Sequence, residues 1–177
     1  KERRDHSCGV FSSDGFLIAQ AAHIPVHLGA MPMTVRTILD MAPFEKGDII
    51  ALNDPYKGGN HLPDITTVAP IFYGERLIGF VATRAHHADI GGMAPGSMPV
   101  ATELYQEGLI IPPIRLVDAG NISQAAWSII LRNSRSPHER EGDLRAQLAA
   151  TSLGIERVQS LVDRFSPEGV EIRFEAM

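Results

Sequence analysis

The feature that most constrains this chain is a group of short apolar segments in its middle. Asp48-Ile-Ile-Ala-Leu52, Ile65-Thr-Thr-Val68 and Leu77-Ile-Gly-Phe-Val-Ala82 are β-branched or wholly apolar, too short for helices and rich in strand formers. Tyr73-Gly-Glu-Arg76 reads as a hairpin connection before the last of them, so the middle of the chain is sheet. A second hairpin opens the chain, because Ser12-Ser-Asp-Gly15 separates Val10-Phe11 from Phe16-Ile18. The pattern predicts an α+β fold with a mixed or antiparallel sheet.

Helical periods surround that sheet. Pro32 suits a first helical turn, and Val35, Ile38, Leu39 and Ala42 share one face before Pro43 ends the pattern, which predicts one short helix. Residues 91 to 113 are rich in glycine and proline yet apolar, as expected of an ordered functional loop. Ile122 to Leu131 reads as a helix, and Ser136-Pro-His-Glu139 reads as a capping box opening a longer one. In that helix Leu144, Leu148, Thr151, Ile155, Val158 and Val162 draw one apolar stripe that must be covered. The expected organisation over residues 1–177 is thus a β-rich part, 1–118, followed by a helical part, 121–165. The chain begins at Lys1, and Gly169 to Phe174 alternates like an opening strand shortly before Met177, so the sequence reads as a fragment of a larger chain.

Composition removes several classes of function. The formal net charge is -5, and no basic run exceeds Arg3-Arg4, so no phosphate-backbone footprint for nucleic acid is present. No apolar stretch reaches the roughly 18 residues of a membrane span. The single cysteine, Cys8, cannot form an internal disulfide and fits a reducing, cytoplasmic setting, where it is expected as a small buried residue.

The chemistry concentrates in two polar knots, each beside an apolar strand. In Asn53-Asp-Pro-Tyr-Lys-Gly-Gly-Asn-His-Leu-Pro-Asp64, His61 and Asp64 stand three apart across Pro63, a spacing that brings an imidazole and a carboxylate to one cation. Alone this is weak, and a turn-stabilising Asp with a surface His explains it equally. Thr83-Arg-Ala-His-His-Ala-Asp-Ile-Gly-Gly92 strengthens it, because neighbouring strand ends converge on one rim. His86 and His87 point to opposite faces of a continuing strand, so only one is expected as a ligand. Two His with carboxylate suit Mn²⁺, Fe²⁺ or Zn²⁺ rather than Mg²⁺ or Ca²⁺. His23 and His27 bracket Pro25, which argues against a helix there and leaves substrate contact and core hydrogen bonding both open. Gly91 to Ser97 reads either as a nest of N–H groups for an anion or as a structural turn.

Together these segments resemble the hydantoinase B/oxoprolinase family. The likeness runs from Lys-Glu-Arg-Arg-Asp at 1–5 and His-Ile-Pro-Val-His-Leu-Gly at 23–29 through both polar knots and Pro95-Gly-Ser-Met-Pro99 to Asn133-Ser-Arg135 and Gly142-Asp-Leu144. The resemblance implies part of a B subunit in an ATP-dependent amidohydrolase that opens cyclic amides such as N-methylhydantoin or 5-oxoproline. A separate hydantoinase A-type ATPase would bind ATP with Mg and activate the amide carbonyl by phosphorylation, making a hetero-oligomer. The related acetone carboxylase holds manganese through two His, an Asp and a Glu, and by motif those ligands fall on His61, Asp64, His86 and Glu2. Asp54 and Asp89 are then expected as acceptors that orient ligand histidines, with His87, His23 and His27 in supporting or substrate-binding roles. Two competing readings are the B-type subunit of an ATP-dependent ketone carboxylase and a non-catalytic scaffold that docks the ATPase.

Overall fold

The computed structural model describes residues 5–21, 24–96, 99–166 and 169. Among them, one antiparallel sheet is built from β1 (His6–Phe11), β2 (Leu17–Gln20), β3 (Ile49–Leu52), β4 (Asp64–Tyr73), β5 (Arg76–His86), β6 (Ile114–Asp118) and β7 (Asn121–Ile122). The strand order is β2-β1-β5-β4-β3-β6-β7. Three helices complete the fold: α1 (Pro25–Leu39), α2 (Gln124–Arg132) and α3 (Pro137–Phe165). The architecture is α+β, and both expected hairpins form. No helix among the described residues is long and apolar enough to cross a membrane.

The central strands read as continuous apolar runs because both faces of the sheet are covered. Alternate residues Ile50, Leu52, Val68, Phe80 and Ala82 pack with Met31, Val35 and Ile38 of α1. Residues of opposite parity face the other helices: Ala51 and Ile65 meet Trp127, Ile130 and Leu144, while Ile71 and Val81 meet Val158 and Val162. The apolar stripe of α3 is therefore covered by the chain's own sheet. Gly154 sets the spacing there, since a Cβ on it would lie 2.7 Å from Val81 Cγ1.

Several local expectations are corrected. Pro25 does not bar a helix: it is the first residue of α1, where the missing N–H would have no intrahelical partner, and this carries His27 into the first turn. Pro32, expected at a helix start, lies inside α1. Ile122 belongs to β7, so α2 begins later than its period suggests. The capping box at Ser136 does not close through its side chain. The chain entering α3 is held instead by Arg135, whose backbone N–H donates to Asp89 Oδ2 (2.8 Å) and whose guanidinium donates to Asp89 and to the Gly92 carbonyl. Cys8 is exposed rather than buried, because strand alternation turns Ser7 and Gly9 inward and Cys8 out. The strand expected beyond Gly169 lies outside the described residues.

Candidate metal centre

Antiparallel pairing of β4 with β5 places Asp64, the first residue of one strand, directly opposite His86, the last of the other. Both lie on the α1 face of the sheet, in parity with Val68 and Phe80. His61 joins them through a tight turn, in which the Asp64 N–H donates to the His61 carbonyl (3.0 Å). Two glycines let this loop close. Gly58 adopts φ +93°, and a Cβ there would fall 2.4 Å from the Thr34 nitrogen of α1; on Gly59 it would fall 2.3 Å from the Asn53 carbonyl oxygen. The buried Asn53 side chain then ties the loop to its neighbours, donating to the Leu62 and Leu109 carbonyls and accepting from the Ile111 N–H.

Three donor atoms converge as a result. His61 Nε2 lies 3.0 Å from His86 Nδ1, His86 Nδ1 lies 3.2 Å from Asp64 Oδ1, and His61 Nε2 lies 3.3 Å from Asp64 Oδ1. Ligands bound to one ion at about 2.1 Å stand about 3.0 Å apart at right angles and about 3.4 Å apart in a tetrahedron. The observed triangle matches that spacing, and its chemistry, two imidazoles and a carboxylate, suits a first-row divalent ion. Asp64 is fully buried and the His86 side chain nearly so, whereas the His61 side chain is 37% exposed. The centre therefore opens to solvent on the His61 side.

Burial would raise the Asp64 carboxyl, but hydrogen bonds from His27 and His86 and the nearby His61 and His27 rings outweigh it, holding it well below the usual carboxylate range. An ionised Asp64 can only accept. His27 Nε2, 3.2 Å from Asp64 Oδ2, must then carry the proton, and His27 Nδ1 accepts from the Ser7 hydroxyl at 2.8 Å. This buried chain occupies one carboxylate oxygen and leaves the other facing the histidines.

Arg84 also lies on this face, fully buried. Its Nε donates to Thr66 Oγ1, and one terminal nitrogen donates to Thr34 Oγ1 and to the Gly58 carbonyl (2.8 Å each), so it links β4, α1 and the His61 loop. The other terminal nitrogen is buried without a partner. Burial pulls this guanidinium down to about 10, against the opposing pull of the Asp64 charge. Sequence reasoning overlooked Arg84 and Ser7; a charged residue within the apolar Leu77 to Ala85 strand was the available signal for the first.

The other candidates lie elsewhere. His87 turns to the opposite face, where Gln147 donates from Nε2 to the Ile65 and Thr83 carbonyls. That fixes Gln147 Oε1 as acceptor for His87 Nε2–H at 3.0 Å, and burial lowers the pKa of this imidazole. Asp54 accepts the Tyr56 N–H and caps the following turn. Asp89 accepts from the Gly91 N–H and from Arg135. Burial would raise the Asp89 carboxyl, but these bonds bring it below its ordinary range. Asp54 is thus drawn to a backbone N–H of its own loop, and Asp89 to one of its own loop and to the chain entering α3. The N–H of Gly91, one candidate for an anion nest, is taken by Asp89. Glu2 and His23 lie outside the described residues.

The chain belongs to the hydantoinase B/oxoprolinase family, whose pattern it matches over residues 1–177. It is 47% identical over 176 residues to an uncharacterised protein of Methanocaldococcus jannaschii, covering 96% of this chain and 31% of that one. It is 39% identical over 180 residues to 5-oxoprolinase 1 of Arabidopsis thaliana, covering 93% and 14% respectively. Among solved structures, an ATP-dependent caprolactamase from Pseudomonas jessenii superposes with a TM-score of 0.90 at 32% identity, covering 97% of this chain and 30% of that chain. The chain thus spans about a third or less of the length of these proteins.

Proposed function

We propose that this chain is part of the B component of an ATP-dependent enzyme that opens a small cyclic amide, of the hydantoin or 5-oxoproline type, and that His61, Asp64 and His86 hold a divalent ion in it. The observation that carries the reading is the 3.0–3.3 Å triangle of imidazole and carboxylate donors, in a chain of a family whose relatives are named for cyclic-amide chemistry. Mn²⁺, Fe²⁺ and Zn²⁺ fit this donor set. Such an ion, when bound, polarises a carbonyl or brings the pKa of water toward neutrality.

The chain's own residues arrange that chemistry. The Ser7–His27 chain keeps Asp64 ionised and turned toward the histidines, and Arg84 holds the His61 loop against α1. His61, the most exposed of the three, marks the side from which substrate arrives. ATP with Mg belongs to a hydantoinase A-type partner, which activates the amide carbonyl by phosphorylation, so the working enzyme is a hetero-oligomer.

The test is reconstitution of the full chain with its A-type partner, assayed for ATP-dependent ring opening of 5-oxoproline and N-methylhydantoin and for carboxylation of a ketone with bicarbonate. The expected result is ring opening, stoichiometric metal in the wild type, and loss of both in His61→Ala. Full turnover by rigorously metal-free protein, or ketone carboxylation alone, would overturn the proposal.

A further inference from the structure

The sheet register sets a permanent positive charge beside the centre. Thr66 pairs with Arg84 as Asp64 pairs with His86, so Arg84 and Asp64 are diagonal neighbours on the α1 face, about 7–8 Å apart across the strands. Arg84 is the largest fully buried side chain. Its bonds run to neutral oxygens, those of Thr66, Thr34 and the Gly58 carbonyl, and its remaining terminal nitrogen is buried with no partner. A guanidinium stays protonated in proteins, and burying one without a carboxylate at its fork is costly. The charges then balance simply. Arg84 cancels Asp64; His27 is neutral, donating from Nε2 and accepting at Nδ1, and an imidazole binds an ion through a neutral ring. Asp5 adds one negative charge at the rim, 3.9 Å from His27 Nε2 and 4.0 Å from His86 Nδ1. A divalent ion held there keeps a net positive charge. The start of α1 adds to it: this end has no acidic residue in its first turn and no side-chain cap, and it stands beside His61, since the Val26 carbonyl accepts from Asn60.

We propose that the loaded centre takes an oxyanion from the His61 side, a carboxylate or phosphoryl oxygen of the substrate, in preference to a neutral ring carbonyl, and that Arg84 is the positioning residue behind this choice. The inference rests on the reading of His61, Asp64 and His86 as a metal centre. Arg84 does not touch the anion, because it is sealed beneath the ligands. It acts through the potential at the centre, where low dielectric lets one fixed charge be felt across several ångströms. Without it, Asp64 and Asp5 would neutralise a divalent ion, and the centre would hold no preference between an anion and a neutral lactam.

The experiment titrates the Mn²⁺-saturated full chain with 5-oxoproline, inorganic phosphate and 2-pyrrolidinone, the neutral lactam of the same ring, and reads binding from water-proton relaxation by the bound ion. At least one anion is expected to bind about tenfold or more tightly than 2-pyrrolidinone; 5-oxoproline without phosphate assigns the carboxylate, phosphate without 5-oxoproline the phosphoryl group, and both together a site open to either. Arg84→Met, measured at saturating Mn²⁺, is expected to weaken the anion at least about tenfold, as loss of a unit charge roughly 8 Å away does at an effective dielectric of about 20, with 2-pyrrolidinone unchanged. Arg84→Lys keeps the charge but cannot span all three acceptors, and should hold the anion within about threefold of wild type. Should Arg84→Met fail to fold, Arg84→Gln carries the same test. The proposal is overturned if the neutral lactam binds as tightly as both anions, or if the Met and Lys variants weaken the anion equally, which would leave Arg84 a support of the His61 loop alone. Mn²⁺ uptake by wild type that is lost in His61→Ala keeps the centre in either case. A wild type that takes up no Mn²⁺ overturns the centre itself, and the anion site with it.

Discussion

The two faces of the sheet, where β4 and β5 meet at one end, carry polar groups buried to similar depth but organised in opposite ways. On the α3 face, Thr67, Thr83 and Thr151 bond one another at 2.7, 2.8 and 3.1 Å, and Gln147 links His87 to two strand carbonyls. These threonine, glutamine and histidine groups are neutral or, in His87, pushed toward neutrality, and they bond one another; the charge nearest them, Arg140 of α3, is paired with Asp143 at 2.9 Å, with two of its own buried nitrogens unpartnered. On the α1 face, Asp64 is ionised, Arg84 is charged with one buried nitrogen unpartnered, and two imidazole nitrogens lie 3.0 Å apart. A closed neutral network positions a helix; convergent donors around a buried charge, open on one side, are arranged for something else to enter.

The contrast breaks most sharply at the α1-face donors that we propose bind the ion. His86→Ala is expected to reduce divalent-ion affinity by at least about a hundredfold, measured by metal titration, and to abolish ATP-coupled turnover. A smaller effect is expected one layer out. His27→Phe removes the donor to Asp64 Oδ2 and should weaken the ion about 10- to 100-fold while the ligands stay in place. The α3 face should answer the other way: Thr151→Val leaves Thr67 and Thr83 short of a partner and should cost about 1–3 kcal/mol in denaturant unfolding, with metal affinity unchanged.

Two smaller effects depend on pH. His87 has a lowered pKa in the fold, so the unfolded chain takes up the proton first; its contribution is present above the ordinary imidazole value of about 6.5 and is lost as pH falls below it. Unfolding of the metal-free protein at successive pH values should show this slope, reduced in His87→Gln. Asp89 is also lowered, so its contribution is present above about 4 and is lost on further acidification; Asp89→Asn should flatten that acid limb.

Much of this molecule is written locally. The strands at 49–52 and 64–86 and the α3 stripe follow from side-chain period, because a covered strand or helix face must be apolar at a fixed spacing. The convergence of His61, Asp64 and His86 was legible for a related reason: the polar knots interrupt apolar strands at ends that a hairpin brings together. His27 was harder, since Pro25 reads as a helix breaker in sequence and becomes a helix starter once the preceding chain supplies the turn.

Tertiary structure alone decided the rest. Asp54 and Asp89 look in sequence like partners for ligand histidines, but each carboxylate meets backbone N–H groups in its own loop first. Ser7 and Arg84 reach the centre only through strand register, which sets them opposite each other although they are 77 apart in number, and through the packing of α1 over the sheet. Period is a property of neighbours along the chain, so the sequence determines which faces are buried. Register and layer contacts are properties of neighbours in space, and only folding chooses which polar side chains share a buried charge.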